Sequence, residues 1–167
     1  MSKTMRRTTA AALACLLLLS GATGTGAQEG EGFFPYPVHK QTLENGLDVI
    51  VIPMPEFEDV LSYNTLILAG ARNETEPGKT GFAHLFEHIQ FRHMWEGRQL
   101  GYEHAMAEMG AFNNAWTWFD VTFYHPVTFA ENLERTFQLE SDRFTDLAFT
   151  EEIFKTEAGA VLGEYRN

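Results

Sequence analysis

The chain has 167 residues, long enough for one domain and too short for two comfortable ones. Its 12 basic residues stand against 23 acidic ones, and the net charge of −11 sets up a field that repels nucleic acid and anionic lipid. Cys15 is the single cysteine, so no intrachain disulfide forms, and a metal site further along must use His, Asp or Glu.

Residues 1–27 are set apart from the fold. Lys3, Arg6 and Arg7 precede the apolar run "AAALACLLLL" and the small residues of "SGATGTGA", the layout of a secretory signal peptide ending at Ala27. The apolar run is too short to span a bilayer, so no stable membrane anchor is expected. The layout points to an exported protein, in the periplasm of a two-membrane bacterium or secreted. Cleavage removes three basic residues and no acidic one, which leaves the mature chain more acidic still. Solubility is the plainer reading of that charge, and attraction of cationic peptides the second.

Residues 28–37, "QEGEGFFPYP", form a flexible lead-in, and 38–167 the domain. "VHKQTLENGLDVIVIPMP" holds two alternating apolar runs joined by Asn45-Gly46, a hairpin signal. A third strand is expected over 62–72, a loop over 73–81, and a helix from about Gly81 to Met94. Residues 99–110 have helical spacing and end at a glycine suited to a C-cap. The aromatic stretch 111–127 reads as one long strand or as two that turn near Trp118–Asp120. An amphipathic helix is expected over 129–147, with Leu133, Phe137, Leu139 and Phe144 among its apolar positions, and a last helix from the N-cap Thr150. Strands first, then helices and a hairpin, give an α+β fold class.

Within "GFAHLFEHIQF" (81–91), His84 and His88 lie one turn apart on one face, with Glu87 at its shoulder. Two imidazoles so spaced can grip a divalent ion, zinc being the usual occupant, and a neighbouring carboxylate can deprotonate a water beside it. The flanking Phe82, Ala83, Leu85, Phe86, Ile89 and Phe91 suggest a buried helix, in which unpaired His and Glu would each cost roughly 1–3 kcal/mol. A third ligand is offered by "KTEAGAVLGEYRN" (155–167). Glu157 and Glu164 stand two turns apart on one face, and Ala158, Gly159, Ala160 and Gly163 would let this helix approach another closely. Two stacked glutamates are as readily plain solvated surface.

Residues 38–167 resemble the inverzincin metallopeptidases of the pitrilysin–insulysin type, peptidase family M16, which carry His-x-x-Glu-His. "GFAHLFEHIQFR" looks like their zinc helix and "VLGEYRN" like the segment with the downstream ligand. The resemblance implies one Zn2+ held by His84, His88 and Glu164, Glu87 as the catalytic general base, and Glu157 in support without direct ligation. "GAFNNAWTWFDVTFY" is similar to the family's Asn-Ala-x-Thr hairpin. It implies a turn near Trp118–Asp120, and Asn114 and Ala115 on an edge strand that binds extended peptide substrates. "SDRF" (141–144) and "NGLDVIV" also fit, and the implied fold is a mostly antiparallel sheet packed against helices. Two departures stand out. "RHMWEGRQLG" replaces a short Gly-Thr-like turn, and the second, similar half of family members is missing. That half is expected in a longer chain or a partner chain. His39, His93, His104 and His125 are read as ordinary residues. The implied function is a zinc metalloendopeptidase, the alternative a non-catalytic peptide-binding or partner subunit.

Overall fold

The computed structural model describes residues 34–166, so the leader and most of the lead-in lie outside the described residues. Two compact units divide at Glu56/Phe57. The first holds the expected hairpin, with β1 (His39–Thr42) antiparallel to β2 (Asp48–Val51). Gly46 takes φ +86° in its turn, a left-handed value that a side chain would resist.

In the second unit the strand expected over 62–72 is two short ones. β3 (Val60–Ser62) pairs with β7 (Val127–Phe129), whereas β4 (Thr65–Ile67) pairs with β6 (Thr122–Tyr124). The break falls at Tyr63–Asn64, where the Asn64 amide donates back to the Ser62 carbonyl and hydroxyl and competes with the ladder. Residues 71–73 form a 3-10 turn instead of strand. The aromatic stretch forms two strands, β5 (Ala115–Thr117) and β6, turning over 118–121 as the resemblance implied. β7 was not foreseen. Pro126, which has no N–H to give, separates it from β6 and hides it in the pattern. All pairings are antiparallel, and one sheet runs β4-β6-β5 with β5 at an edge.

Four helices complete the unit: α1 (Phe82–Phe91), α2 (Gly101–Glu108), α3 (Leu133–Thr145) and α4 (Glu151–Tyr165). The fold is α+β, as expected. Thr150 caps α4 by accepting from the Ile153 amide at 3.2 Å. No helix among the described residues is long and apolar enough to cross a membrane. The core joins Tyr102, Ala105, Met106 and Met109, from α2 and its C-cap, with Leu139 of α3.

The expected apolar face of α3 is only partly buried. Leu139 is, but Leu133, Phe137 and Phe144 are exposed, while Thr136, Glu140 and Arg143 turn inward. The reason is a buried ion pair. Arg143 Nη2 donates to Glu140 Oε2 at 2.7 Å, and the Tyr102 hydroxyl donates to Glu140 Oε1 at 2.7 Å. Arg143 Nε and Nη1 have no hydrogen-bond partner among the described residues. The guanidinium instead lies against the rings of Tyr102, Tyr124 and Phe144, with its central carbon 4.4, 4.6 and 5.0 Å from their centroids.

Breaking that pair strands a buried charge. Glu140→Ala is expected to lower stability by about 3–5 kcal/mol in urea unfolding, and a loss under about 1 kcal/mol would show that the pair is not buried in solution. Burial also raises the hydroxyl pKa of Tyr102, Tyr124 and Tyr63, the last from 10.0 to about 12, with the Glu140 charge adding to it. Above pH 10.0 the unfolded chain sheds these protons and the folded chain keeps them. Stability should therefore hold below pH 10 and fall as pH rises toward 12, read as a declining melting temperature with ultraviolet tyrosinate absorbance delayed until unfolding.

Candidate metal centre

The N-cap of α1 is Gly81, whose φ of +90° needs a glycine and whose lack of a side chain leaves the first-turn amides without a local cap. Glu74 supplies the cap from the preceding loop. One carboxylate oxygen accepts from the Gly81 amide and the other from the Ala83 amide at 2.5 Å, an anion at the positive end of the helix. α1 ends earlier than expected, with Arg92 as its C-cap. It is also less buried than its composition suggests, because Leu85 and Ile89 face inward while Phe82 and Phe86 stay exposed.

α4 runs antiparallel to α1. His84, near the start of α1, meets Glu164 near the end of α4, and His88 meets Glu157 one turn further along α1 and two turns back along α4. The packing face of α4 is Ile153, Phe154, Glu157, Ala158 and Val161, at helical spacing. The small-residue approach is therefore corrected: a Cβ added at Gly159 or Gly163 would meet nothing within 4 Å, and Ala160 is exposed.

One atom each of His84, His88 and Glu164 forms a group whose members all lie within 4.8 Å of one another. The His84 and His88 Nε2 atoms are 3.2 Å apart, and Glu164 Oε2 is 3.3 Å from His84 Nε2. Two ligands held tetrahedrally at about 2.0–2.1 Å from one zinc sit about 3.3 Å apart, a spacing that the two histidines and the His84–Glu164 pair match, whereas Glu164 Oε1 stands farther from His88 Nε2, at 3.8 Å. Glu157 sits behind His88. Its Oε2 lies 3.0 Å from Nδ1, and with the proton on Nδ1 the Nε2 lone pair points at the cluster. Two imidazole nitrogens and a carboxylate oxygen gathered at one point are a donor set that a divalent cation can take.

Glu87, 6% exposed, faces β5, where Thr117 Oγ1 donates to its Oε2 at 2.5 Å. Thr117 stands two residues past Ala115 on the edge strand. Ala115 pairs with Tyr124, and its amide donates to Asn114 Oδ1 at 2.9 Å. Asn114 is exposed and precedes the strand, its carbonyl accepting from the His125 amide.

Several partners escaped the sequence reading. Arg92 Nε donates to Glu157 Oε1 at 2.7 Å and Nη1 to Glu103 Oε1 at 2.6 Å. Burial alone would lower the guanidinium pKa, and the hydrogen bonds and charges of Glu157 and Glu103 outweigh it and raise it. Arg92 lies four residues after His88, a spacing that could have flagged it, whereas nothing in the sequence announces Glu103, Glu74 or Thr117. His93, read as ordinary, is a buried pin. Its Nδ1 accepts from the Ala148 amide at 3.1 Å, so its Nε2 donates to Asp142 at 2.8 Å, away from the metal cluster.

Residues 50–167 match the family model of insulinase, peptidase family M16. The chain belongs to that family. It is 33% identical over 131 residues to zinc protease PqqE of Helicobacter pylori, covering 78% of this chain and 29% of that protein. It is 32% identical over 96 residues to the human mitochondrial-processing peptidase subunit beta, covering 58% of this chain and 19% of that subunit. The crystal structure of a protease from Helicobacter pylori superposes with a TM-score of 0.70 at 31% identity, over 77% of this chain and 30% of that one. The chain thus spans under a third of the length of these M16 relatives.

Because Glu74 caps the helix that carries both histidines, Glu74→Ala should cost about 1 kcal/mol of stability, measured by thermal unfolding of the metal-free chain. An unchanged melting temperature would mean that the cap is replaced by water.

Proposed function

We propose that this chain is the metal-bearing part of a zinc metalloendopeptidase that hydrolyses extended peptides. The observation that carries the reading is the convergence of His84 Nε2, His88 Nε2 and a Glu164 carboxylate oxygen beside the buried Glu87. The M16 membership and the zinc protease among the relatives support it. In this reading His84, His88 and Glu164 are the ligands, and Glu157 holds His88 from behind. When bound, zinc supplies Lewis acidity, lowering the pKa of water to about 7 and polarising a carbonyl oxygen.

The remaining chemistry falls to the chain's own residues. Glu87 is the general base. With Oε2 fixed by Thr117, its other oxygen is left to take the proton of the attacking water and hand it to the departing amine. The open edge of β5 binds the substrate as an added strand. A peptide laid there is registered by main-chain hydrogen bonds, with Asn114 and Ala115 at the start of the track and Thr117, bound to Glu87, at its end. A second M16-like half, in a longer chain or a partner, closes the site. That one relative is named as a subunit is consistent with a partner chain.

The test uses the full-length protein and a quenched extended peptide. Glu87→Gln should lose about 10²–10⁴-fold in kcat while keeping its bound zinc, and chelation should abolish cleavage until zinc is returned. Normal turnover by Glu87→Gln would sink the mechanism. Zinc binding without cleavage by the full-length wild type, alone and with any partner chain added, would favour the non-catalytic peptide-binding subunit.

A further inference from the structure

Glu157 is 6% exposed, and a carboxylate so buried needs donors for both oxygens. Its Oε2 faces His88 Nδ1 at 3.0 Å, and its Oε1 takes the Arg92 Nε–H at 2.7 Å. Arg92 is itself held at a second point, with Nη1 on Glu103 Oε1 at 2.6 Å. A guanidinium is planar and rigid, so two carboxylates gripping two of its nitrogens fix its orientation. The chain of contacts Glu103–Arg92–Glu157–His88 joins α2, the end of α1, α4 and α1 again, and it stops at the imidazole whose other nitrogen lies in the metal cluster. Arg92 and Glu103 lie in and just after the stretch "RHMWEGRQLG", which links α1 to α2.

We propose that Arg92, clamped by Glu103, is a positioning residue of the metal centre: it holds Glu157 in the orientation that keeps the His88 proton on Nδ1 and presents Nε2 to the ion. This rests on the zinc reading of His84, His88 and Glu164. Without Arg92, Glu157 Oε1 loses its donor, the carboxylate turns toward solvent, and His88 is left to rotate or take its other tautomer. The ligand set would then be intact in composition and loose in geometry. Arg92 touches neither metal nor substrate, so its effect passes entirely through Glu157.

The experiment measures zinc affinity on the full chain by competition with a chromogenic chelator. The variants are Arg92→Met, Arg92→Lys, Glu103→Gln, Glu157→Ala and the double variant Arg92→Met/Glu157→Ala. Arg92→Met is expected to weaken zinc about 10–100-fold. Arg92→Lys should recover part of this, since an ammonium still donates to Glu157, and Glu103→Gln should lose less than Arg92→Met. The double variant should bind zinc no more weakly than Glu157→Ala alone, because nothing remains for Arg92 to act through. An unchanged affinity in Arg92→Met overturns the proposal. So does an equal loss with and without Glu157, which would make Arg92 only an interhelical tie. Should Arg92→Met fail to fold, Arg92→Lys and the isosteric Glu103→Gln at a half-exposed position carry the test, and full affinity in both overturns it. His84→Ala serves as the control on the underlying reading. If it binds zinc as the wild type does, the ligand assignment itself falls and takes the positioning role with it, an outcome distinct from a normal His84 dependence with no Arg92 effect.

Discussion

A carboxylate buried between two helices has to be neutralised where it stands, and Glu157 is the one on which the site's geometry depends. Its charge is removed from water at the crossing of α1 and α4, a cost of several kcal/mol unless hydrogen-bonded cations or donors meet it. Both partners come from α1, His88 and the C-cap Arg92. Any slide or rotation of one helix on the other would break at least one of these bonds. The register of the crossing is thereby fixed, and that register brings Glu164, two turns further along α4, against both histidines.

Two buried carboxylates paired with guanidinium groups in this unit solve the same problem in different ways. Arg143 is fully buried and satisfies its charge through Glu140 and through ring faces, leaving two nitrogens without hydrogen-bond acceptors. Such an arrangement holds the guanidinium between one carboxylate and several ring faces, which suits a fixed core. Arg92 is one third exposed and keeps two carboxylates instead of one. It lies at the rim, where solvent softens each contact, and its rigidity comes from being gripped twice by a planar fork. The first system holds the scaffold, and the second tunes what the scaffold presents.

The sequence made legible whatever depends on local periodicity. The positions of α1 and α4, the Thr150 cap, the hairpin at Asn45-Gly46 and the shared faces of His84/His88 and Glu157/Glu164 all follow from spacing along one element. The choice between Glu157 and Glu164 was not legible that way. Both lie on the same face, and only the antiparallel crossing decides which meets Nε2 and which meets Nδ1; the family resemblance had to supply it. Strand breaks were hidden for a similar reason. Residues 62–72 read as one strand, and the interruption at Asn64 is a side-chain-to-backbone contact with no periodic signature. The face of α3 was misjudged because polar residues were assumed to face solvent. Glu140 and Arg143, three residues apart, neutralise each other and can go inside, displacing Leu133 and Phe137 to the outside.

The two halves of the candidate site are tied together by a short hydrogen bond. α1 and α4 supply the cluster of His84, His88 and Glu164, while β5 supplies the open strand edge, and Thr117 Oγ1 on Glu87 connects them. A hydroxyl has one proton to give, and Thr117 gives it to Glu87; Thr122, its neighbour on β6, gives its own to the Ala69 carbonyl. Neither hydroxyl then has a proton left to donate to a peptide at the edge. Because Thr117 is part of the strand ladder, the position of the Glu87 carboxylate is set by the sheet and by α1 together. A peptide registered on β5 through its main chain is therefore registered relative to Glu87 as well, whatever its side chains are. In the proposed function, binding by backbone and catalysis by a carboxylate tied to that same strand would be two consequences of one register, as a site for extended chains of varied sequence requires.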